Sequence, residues 1–429
     1  MNCINCKKTK LRKIVTLGKQ PISSFFLKKK NLKLKKYPLD LYQCNNCNLV
    51  QLKFFSDFNN IYKSDYGYKT SVSPLMVQHM KQKFIKYFNN SFKRQKKNIL
   101  DIGSNDGTFL NFFTKYKNLS LYGIDPSADG FKDNYDPEIN LIIDFFSEKK
   151  INNMLGEETN KKFSLITSFA MFYDVKDPNQ FCKSIKNLLD KDGIWVCEFS
   201  YFPLLLKNLT YDQICHEHVA YYTLKTFNNI VSKNGMKILD FSLNNINGGS
   251  IEVVCAKREN KTISARKKIN EIIKKENLID NTSYKKFNLR IDNVKKTLGI
   301  LINNLKRNTI YGYGASTKGN VVLNHCKINS KILPYICDGN IFKHGKYTPG
   351  SNIKIISKEL MRKKKPKYLL ILIWSFRAEV IKQEIDYIRN GGCLIFHLPL
   401  LHIVDKKNYK NYLKQKDKFI LEHKYSKLK

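Results

Sequence analysis

Residues 99 to 110 read Ile-Leu-Asp-Ile-Gly-Ser-Asn-Asp-Gly-Thr-Phe-Leu, an apolar strand running into a turn punctuated by Gly103 and Gly107. Glycine allows the backbone to turn tightly where a ligand must approach it. The spacing is not the G-x-G-x-x-G of a dinucleotide loop. Downstream, strand-like runs LSLYGID (119–125), NLIIDFF (140–146), FSLITSF (163–169) and GIWVCEF (193–199) alternate with helix-like ones such as NQFCKSIKNLL (179–189), and VQHMKQKFIKYF (77–88) precedes them. That alternation predicts a parallel sheet wrapped in helices, an α/β fold. The runs 236–244 and 248–258 are joined by Asn247-Gly248-Gly249, a turn signal for an antiparallel hairpin closing the sheet.

The strand after the glycine turn ends in Gly123-Ile124-Asp125-Pro126, which places a carboxylate about twenty residues on, where it can accept both hydroxyls of a ribose. Asp101, Gly103, Ser104, Asn105, Gly107 and Asp125 are therefore candidate cofactor ligands, and Asp144, after the third strand, is placed near an adenine. The turn is similar to motif I of class I S-adenosylmethionine-dependent methyltransferases.

Two C-x-x-C pairs, Cys3/Cys6 and Cys44/Cys47, stand at the N-terminus. Each presents two thiolates to one metal, and two such turns complete a closed tetrahedral zinc site with no open position, hence a structural one. The chain has 429 residues, enough for two or three domains, and seven of its 11 cysteines lie outside these pairs. With no basic-then-apolar leader and no apolar run near 18 residues, a cytoplasmic protein with reduced thiols and no membrane insertion is expected. The net charge of +40 comes mostly from Lys spread along the whole chain. A nucleic-acid surface would concentrate charge and favour Arg, so no nucleic-acid partner is expected.

A second alternating unit begins at NTIYGYG (308–314), whose loop Gly312-x-Gly314-Ala315-Ser316-Thr317-Lys318-Gly319 opens a helix. Amides there, with Lys318, suit a pyrophosphate. The third glycine of a dinucleotide fingerprint falls on Thr317, which weakens a nicotinamide reading. Between the units, Cys215-His216-Glu217-His218 combines imidazole with a carboxylate able to orient it, a pairing suited to removing a proton beside a carbonyl.

Taken together, the paired knuckles, YPLDLYQCNNCNLVQL, IGSNDGTFL, the H-E-H loop, NGGS and YGYGASTKGNVVLN resemble the S-adenosylmethionine-dependent sugar C-methyltransferase family of deoxysugar pathways, over residues 1 to 405. The resemblance implies a zinc-binding domain (1–70), a methyltransferase domain (71–258), a helical connector (259–308), a C-terminal Rossmann-like domain (309–405) that binds a nucleotide-diphosphate keto-deoxysugar, and a Lys-rich tail (406–429). It implies His218 as the base, with Glu217, His216 and Tyr222 beside it, and Asn247, Gly314, Ser316, Lys318, Asn320 and Asp338 as substrate ligands. Two positions depart from the pattern. Cys215 stands where members often have Tyr, leaving Tyr221 or Tyr222 as substitutes, and Asp174 stands where some have His before the Val-x-Asp-Pro run. Two rival readings remain open at this point: a zinc-containing RNA-binding protein or RNA methyltransferase, and an O- or N-methyltransferase on a nucleotide sugar.

Overall fold

The computed structural model describes residues 2–53, 62, 67–88, 95–156, 162–305 and 309–415. Three sheets organise them. The first is antiparallel, built from β1 (Leu11–Gln20), β2 (Tyr37–Cys44) and β3 (Val50–Leu52). Alternation along β2 buries Leu39 and Leu41 on one face. Strand β1 carries no uniform apolar run, because Arg12, Lys13 and Lys19 interrupt its alternation.

The central sheet contains β4 (Lys97–Ile102), β5 (Leu119–Ile124), β6 (Ile139–Ile142), β7 (Phe163–Phe169) and β8 (Leu189–Ser200), all parallel. A two-residue strand, β9 (Ala220–Tyr221), leaves this region and joins the first sheet, pairing Tyr221 with Val50. The central sheet is completed by β10 (Met236–Asn244) and β11 (Ser250–Lys257), in the order β10-β11-β8-β7-β4-β5-β6. Both end strands run as the expected antiparallel hairpin, with β11 inserted between β10 and β8. The order in which successive strands are added reverses between β4 and β7, which makes the carboxyl ends of β4 and β5 the place where a ligand binds in such a sheet. Burial on both faces gives runs such as Ile99-Leu100 and Val196-Cys197.

Helix Pro74–Tyr87 is capped by Ser73, and its Met76 and Met80 line the cavity at this site. It resolves an electrostatic conflict in the sheet. Glu198 on β8 lies directly opposite Glu252 on β11, and like charges so placed repel. Lys83 of the helix bonds both carboxylates, and His79 bonds Glu198 at 2.8 Å. Burial alone would raise Glu198, but the charges of Lys83 and His79 hold it at about 2.

Helices Arg266–Glu276 and Asn281–Asn303 form the connector, as a pair. The third sheet holds β12 (Ile310–Tyr313), β13 (Tyr335–Cys337), β14 (Lys354–Ile356), β15 (Tyr368–Ile371), β16 (Cys393–Phe396) and antiparallel β17 (His402–Val404), in the order β14-β13-β12-β15-β16-β17. It is Rossmann-like, with its reversal between β12 and β15. The expected Lys-rich tail begins as a helix, Tyr409–Gln415, whose Tyr412 ring lies under Arg377. Its remainder lies outside the described residues. No helix among the described residues is long and apolar enough to cross a membrane.

Candidate functional site

Both cysteine pairs fold alike. In the first, Lys7 N donates to Cys3 O and Cys3 N to Lys8 O; in the second, Asn48 N donates to Cys44 O and Cys44 N to Leu49 O. Lys7 and Asn48 both adopt positive φ, closing equivalent turns. The four sulfurs all lie within 4.8 Å of one another, with Cys3 to Cys47 and Cys6 to Cys44 each 3.5 Å. Tetrahedral zinc with sulfur at about 2.3 Å separates its ligands by about 3.8 Å, so this set fits zinc in a closed, structural site.

At the end of β4 the chain takes positive φ at Gly103, Asn105 and Gly107. A Cβ on Gly103 would also come 2.9 Å from Met171 Cγ. Asp125 is fixed before any ribose arrives: Oδ1 accepts from Ser127 N (2.6 Å) and Oδ2 from Asn105 N (2.9 Å). Asp101 accepts from Thr167 Oγ1 at 2.6 Å. Burial, with the Asp125 charge adding to it and the Thr167 bond opposing, pushes its carboxyl up to about 7. A buried carboxyl without a cationic neighbour is suited to the ammonium of an amino-acid moiety. Asp101, Gly103, Ser104, Asn105 and Asp125 line one cavity with Phe109 and Phe169, and the donor set fits S-adenosylmethionine. Gly107 does not reach it, because the Tyr135 ring fills the space beside its Cα. Asp144 is also outside it. Its side chain turns to Lys150, whose hydrogen bond lowers its pKa.

A second cavity of about 280 Å³ opens beside the first, and Tyr62, Tyr68, Ala170 and Asp174 line both. Glu217 and His218 face it from the H-E-H loop; Asn247, Gly314, Ser316, Lys318 and Asp338 face it from the two Rossmann-like units. His218 Nδ1 lies 2.7 Å from the Gln213 carbonyl. A carbonyl only accepts, so Nδ1 carries the proton and Nε2 keeps its lone pair. Burial and then the Lys318 charge depress this imidazole to about 3 against the pull of the Gln213 carbonyl, so it stands neutral and able to receive a proton. Its ring packs 4.1 Å from that of Tyr173. Glu217 is 4% exposed, and its carboxylate lies beside the Cys215 thiol with both oxygens otherwise unbonded among the described residues.

The turn at 216–217 separates the two histidines. His216 is thrown back toward the N-terminal sheet, wholly buried, with the Tyr37 ring edge-on at 6.2 Å. Tyr222 is equally buried among Phe172, Phe199 and Phe227, and Tyr221 donates to the Gln213 carbonyl at 3.2 Å. None of these three lines the cavity, so neither tyrosine stands in for the one missing at Cys215. Asn320 is likewise displaced from the substrate set. It is fully buried and donates to Ser23 O at 2.7 Å, tying the N-terminal segment to helix Thr317–His325.

In the C-terminal unit, Ser316 caps that helix by accepting from Gly319 N, and Gly314 at φ +88° leaves room only for hydrogen against Ile373. Lys318 Nζ donates to Asn247 Oδ1 at 2.7 Å, joining the two units across the cavity. Lys343, 2.9 Å from Ala315 O, and Lys358 add positive charge to the same wall. Those two lysines, together with Tyr62, Tyr68, Tyr173 and the N-terminal Ser24 and Phe26, escaped the sequence reading, because no local spacing sets them apart. A larger, open groove of about 610 Å³ beside the connector helices contains no histidine or cysteine and touches neither glycine loop.

Three family models match the chain: a zinc binding domain over residues 3–62, a methyltransferase domain over 76–240, and a C-methyltransferase C-terminal domain over 245–399. The chain is 26% identical over 380 residues to the C-methyltransferase NovU of Streptomyces niveus, covering 87% of this chain and 89% of that protein. Among solved structures, it is similar to the plantazolicin methyltransferase BpumL in complex with S-adenosylhomocysteine (TM-score 0.34, 16% identity, 43% of this chain and 84% of that one). It is also similar to a Haloferax volcanii methyltransferase complex with the activator Trm112 (TM-score 0.32, 11% identity, 43% and 95%).

Proposed function

We propose that the chain is an S-adenosylmethionine-dependent C-methyltransferase that methylates a carbon beside the keto group of a nucleotide-linked 4-keto-6-deoxysugar, with His218 as the base, a reading supported by the matching family models and by the likeness to NovU. The observation that carries this reading is the orientation of His218: its Nδ1 is held by Gln213 O, so the basic Nε2 is left for the cavity that adjoins the cofactor loop.

Asp101 and Asp125 would hold the cofactor, which would supply a methyl group whose bond to the sulfonium sulfur breaks with its electron pair staying on sulfur. His218 Nε2 takes the proton from the carbon next to the ketone, and the C–H electron pair becomes the enolate whose carbon would accept that methyl. Lys318, Lys343 and Lys358 offer the positive wall that a diphosphate needs, and Asp338 offers a hydroxyl acceptor at the end of β13. Holding the sugar here brings its reactive carbon to the wall shared by the two cavities, and such positioning contributes much of the rate. The zinc site is closed and stands apart from these steps.

The test is proton exchange in heavy water, with dTDP-4-keto-6-deoxyglucose as probe. Wild type should exchange a proton on the carbon next to the ketone and, with cofactor, attach methyl to that carbon. His218→Ala should still bind both ligands yet do neither, since loss of a base appears in the chemical step rather than in affinity. Near-wild-type exchange by His218→Ala would remove the assignment. Methyl appearing on oxygen or nitrogen would overturn C-methylation itself, and an RNA-binding role predicts no exchange by any variant.

A further inference from the structure

Asp174 is placed where the two ligands must meet. It ends the turn Phe172–Asp174 after β7, and its carboxyl belongs to the walls of both cavities. The Tyr62 hydroxyl donates to its Oδ2 at 2.9 Å. Its Oδ1 is enclosed and has no hydrogen-bond partner among the described residues. Helical caps and salt bridges do not use it. Resting on the C-methylation reading above, we propose that Asp174 is a further residue of the reaction centre, hydrogen-bonding through Oδ1 to the ketone oxygen that becomes the enolate oxygen, while Tyr62 fixes Oδ2.

The assignment follows from which oxygen is free to carry a proton. A tyrosine hydroxyl donating to Oδ2 makes that oxygen the acceptor, so in the neutral acid the proton resides on Oδ1, the oxygen with no partner among the described residues. The surroundings favour the neutral acid. Burial comes first, opposed by the Tyr62 bond and assisted by the charge of Glu217, and together they hold the carboxyl well above its usual range. The titratable groups that interact with it are Tyr62, Cys215, Glu217, Tyr221 and Tyr222; Lys318, which lines the same cavity, acts on Asp212 and His218. A neutral acid enclosed beside the reacting carbonyl is a strong donor to a developing oxyanion. The charge balance is simple: His218 gains the carbon-bound proton, the oxygen gains the negative charge, and Asp174 shares its proton without losing it.

Asparagine copies the neutral acid in shape and presents an N–H where Asp174 presents an O–H, whereas alanine presents nothing. Exchange at the carbon next to the ketone of dTDP-4-keto-6-deoxyglucose should fall on the order of a hundredfold or more in Asp174→Ala and stay within about tenfold of wild type in Asp174→Asn. Wild-type exchange should also decline on the alkaline side as Asp174 ionises, and Asp174→Asn should lack that decline. Calorimetry with S-adenosylhomocysteine, expected unchanged in both variants, reports that the fold and the cofactor loop are intact. The idea is overturned if Asp174→Asn is as slow as Asp174→Ala with cofactor affinity preserved, which would mean the ionised form does the work. It is overturned equally if Asp174→Ala exchanges like wild type or the alkaline decline persists in Asp174→Asn. Absence of exchange in wild type would instead strike the C-methylation reading, and this inference with it.

Discussion

Lys318 and His218 face one cavity from different units of the fold, and the ammonium holds down the basicity of the imidazole. On the proposed reading, a diphosphate arriving at Lys318 would offset that positive charge, so substrate binding would strengthen the base only when there is a proton to take. Lys318→Gln should therefore raise the His218 pKa in the free protein, which an NMR titration of the imidazole carbon protons would register. Affinity for the nucleotide sugar should fall by roughly tenfold, as expected for one charge-assisted hydrogen bond. An unmoved titration would show that the two residues are not coupled.

Cofactor affinity should depend on pH through Asp101. Its folded pKa of about 7 lies above the unfolded value, so the stability linked to this group is complete at acid pH and is lost as pH rises through about 7. The same ionisation creates the charge that an ammonium needs. In calorimetry, S-adenosylhomocysteine should bind more tightly at pH 8 than at pH 6, while the thermal midpoint of the free protein moves the other way. Asp101→Asn should flatten both dependences and weaken binding at the higher pH.

Asp125→Ala removes an acceptor already aligned by Ser127 and Asn105, and about 1.5–3 kcal/mol of cofactor affinity should go with it. Gly103→Val should be at least as costly, because β-branched residues resist φ +76° and the new side chain meets Met171. Calorimetric titration of either variant that matches wild type would place the cofactor elsewhere.

Much of this was legible in the sequence because the signals are local. Turn glycines, a strand-terminal Asp125, and two cysteine pairs with equal spacing each declare a geometry within a few residues. The H-E-H loop was legible as chemistry but not as direction: a turn at 216–217 sends His216 inward and His218 to the cavity, and periodicity says nothing about irregular backbone. Asn320 followed the helical motif yet was claimed by Ser23 O, a partner 297 positions away. Asp174 was visible only as a departure from a pattern. Its meaning depends on Tyr62, which no local spacing brings to it.

Zinc loss should reach the reaction centre as well as the fold. The knuckle containing Cys44 and Cys47 leads straight into β3, and β3 holds β9, which begins two residues beyond His218, through the Val50 to Tyr221 pairing. Cys44→Ser, or chelation, should lower the thermal midpoint, since a closed zinc site contributes folding energy, and should also slow exchange of the sugar proton. Measuring zinc content, thermal midpoint and exchange on one preparation separates the effects: unchanged exchange in a zinc-free, folded protein would disconnect the metal from the loop.

The pairing of β3 with β9 also sets a timetable for the nascent chain. Strand β3 is finished at residue 52, but the strand that covers its edge is not made until Ala220 and Tyr221. At ordinary translation rates the intervening residues take on the order of ten to thirty seconds, during which Val50 and Leu52 present an uncapped, apolar edge of the kind that recruits stray strands. Fragments ending before residue 220 should thus be sticky and poorly expressed, whereas those continuing past it should not, which makes the smallest workable N-terminal piece far longer than its cysteines suggest.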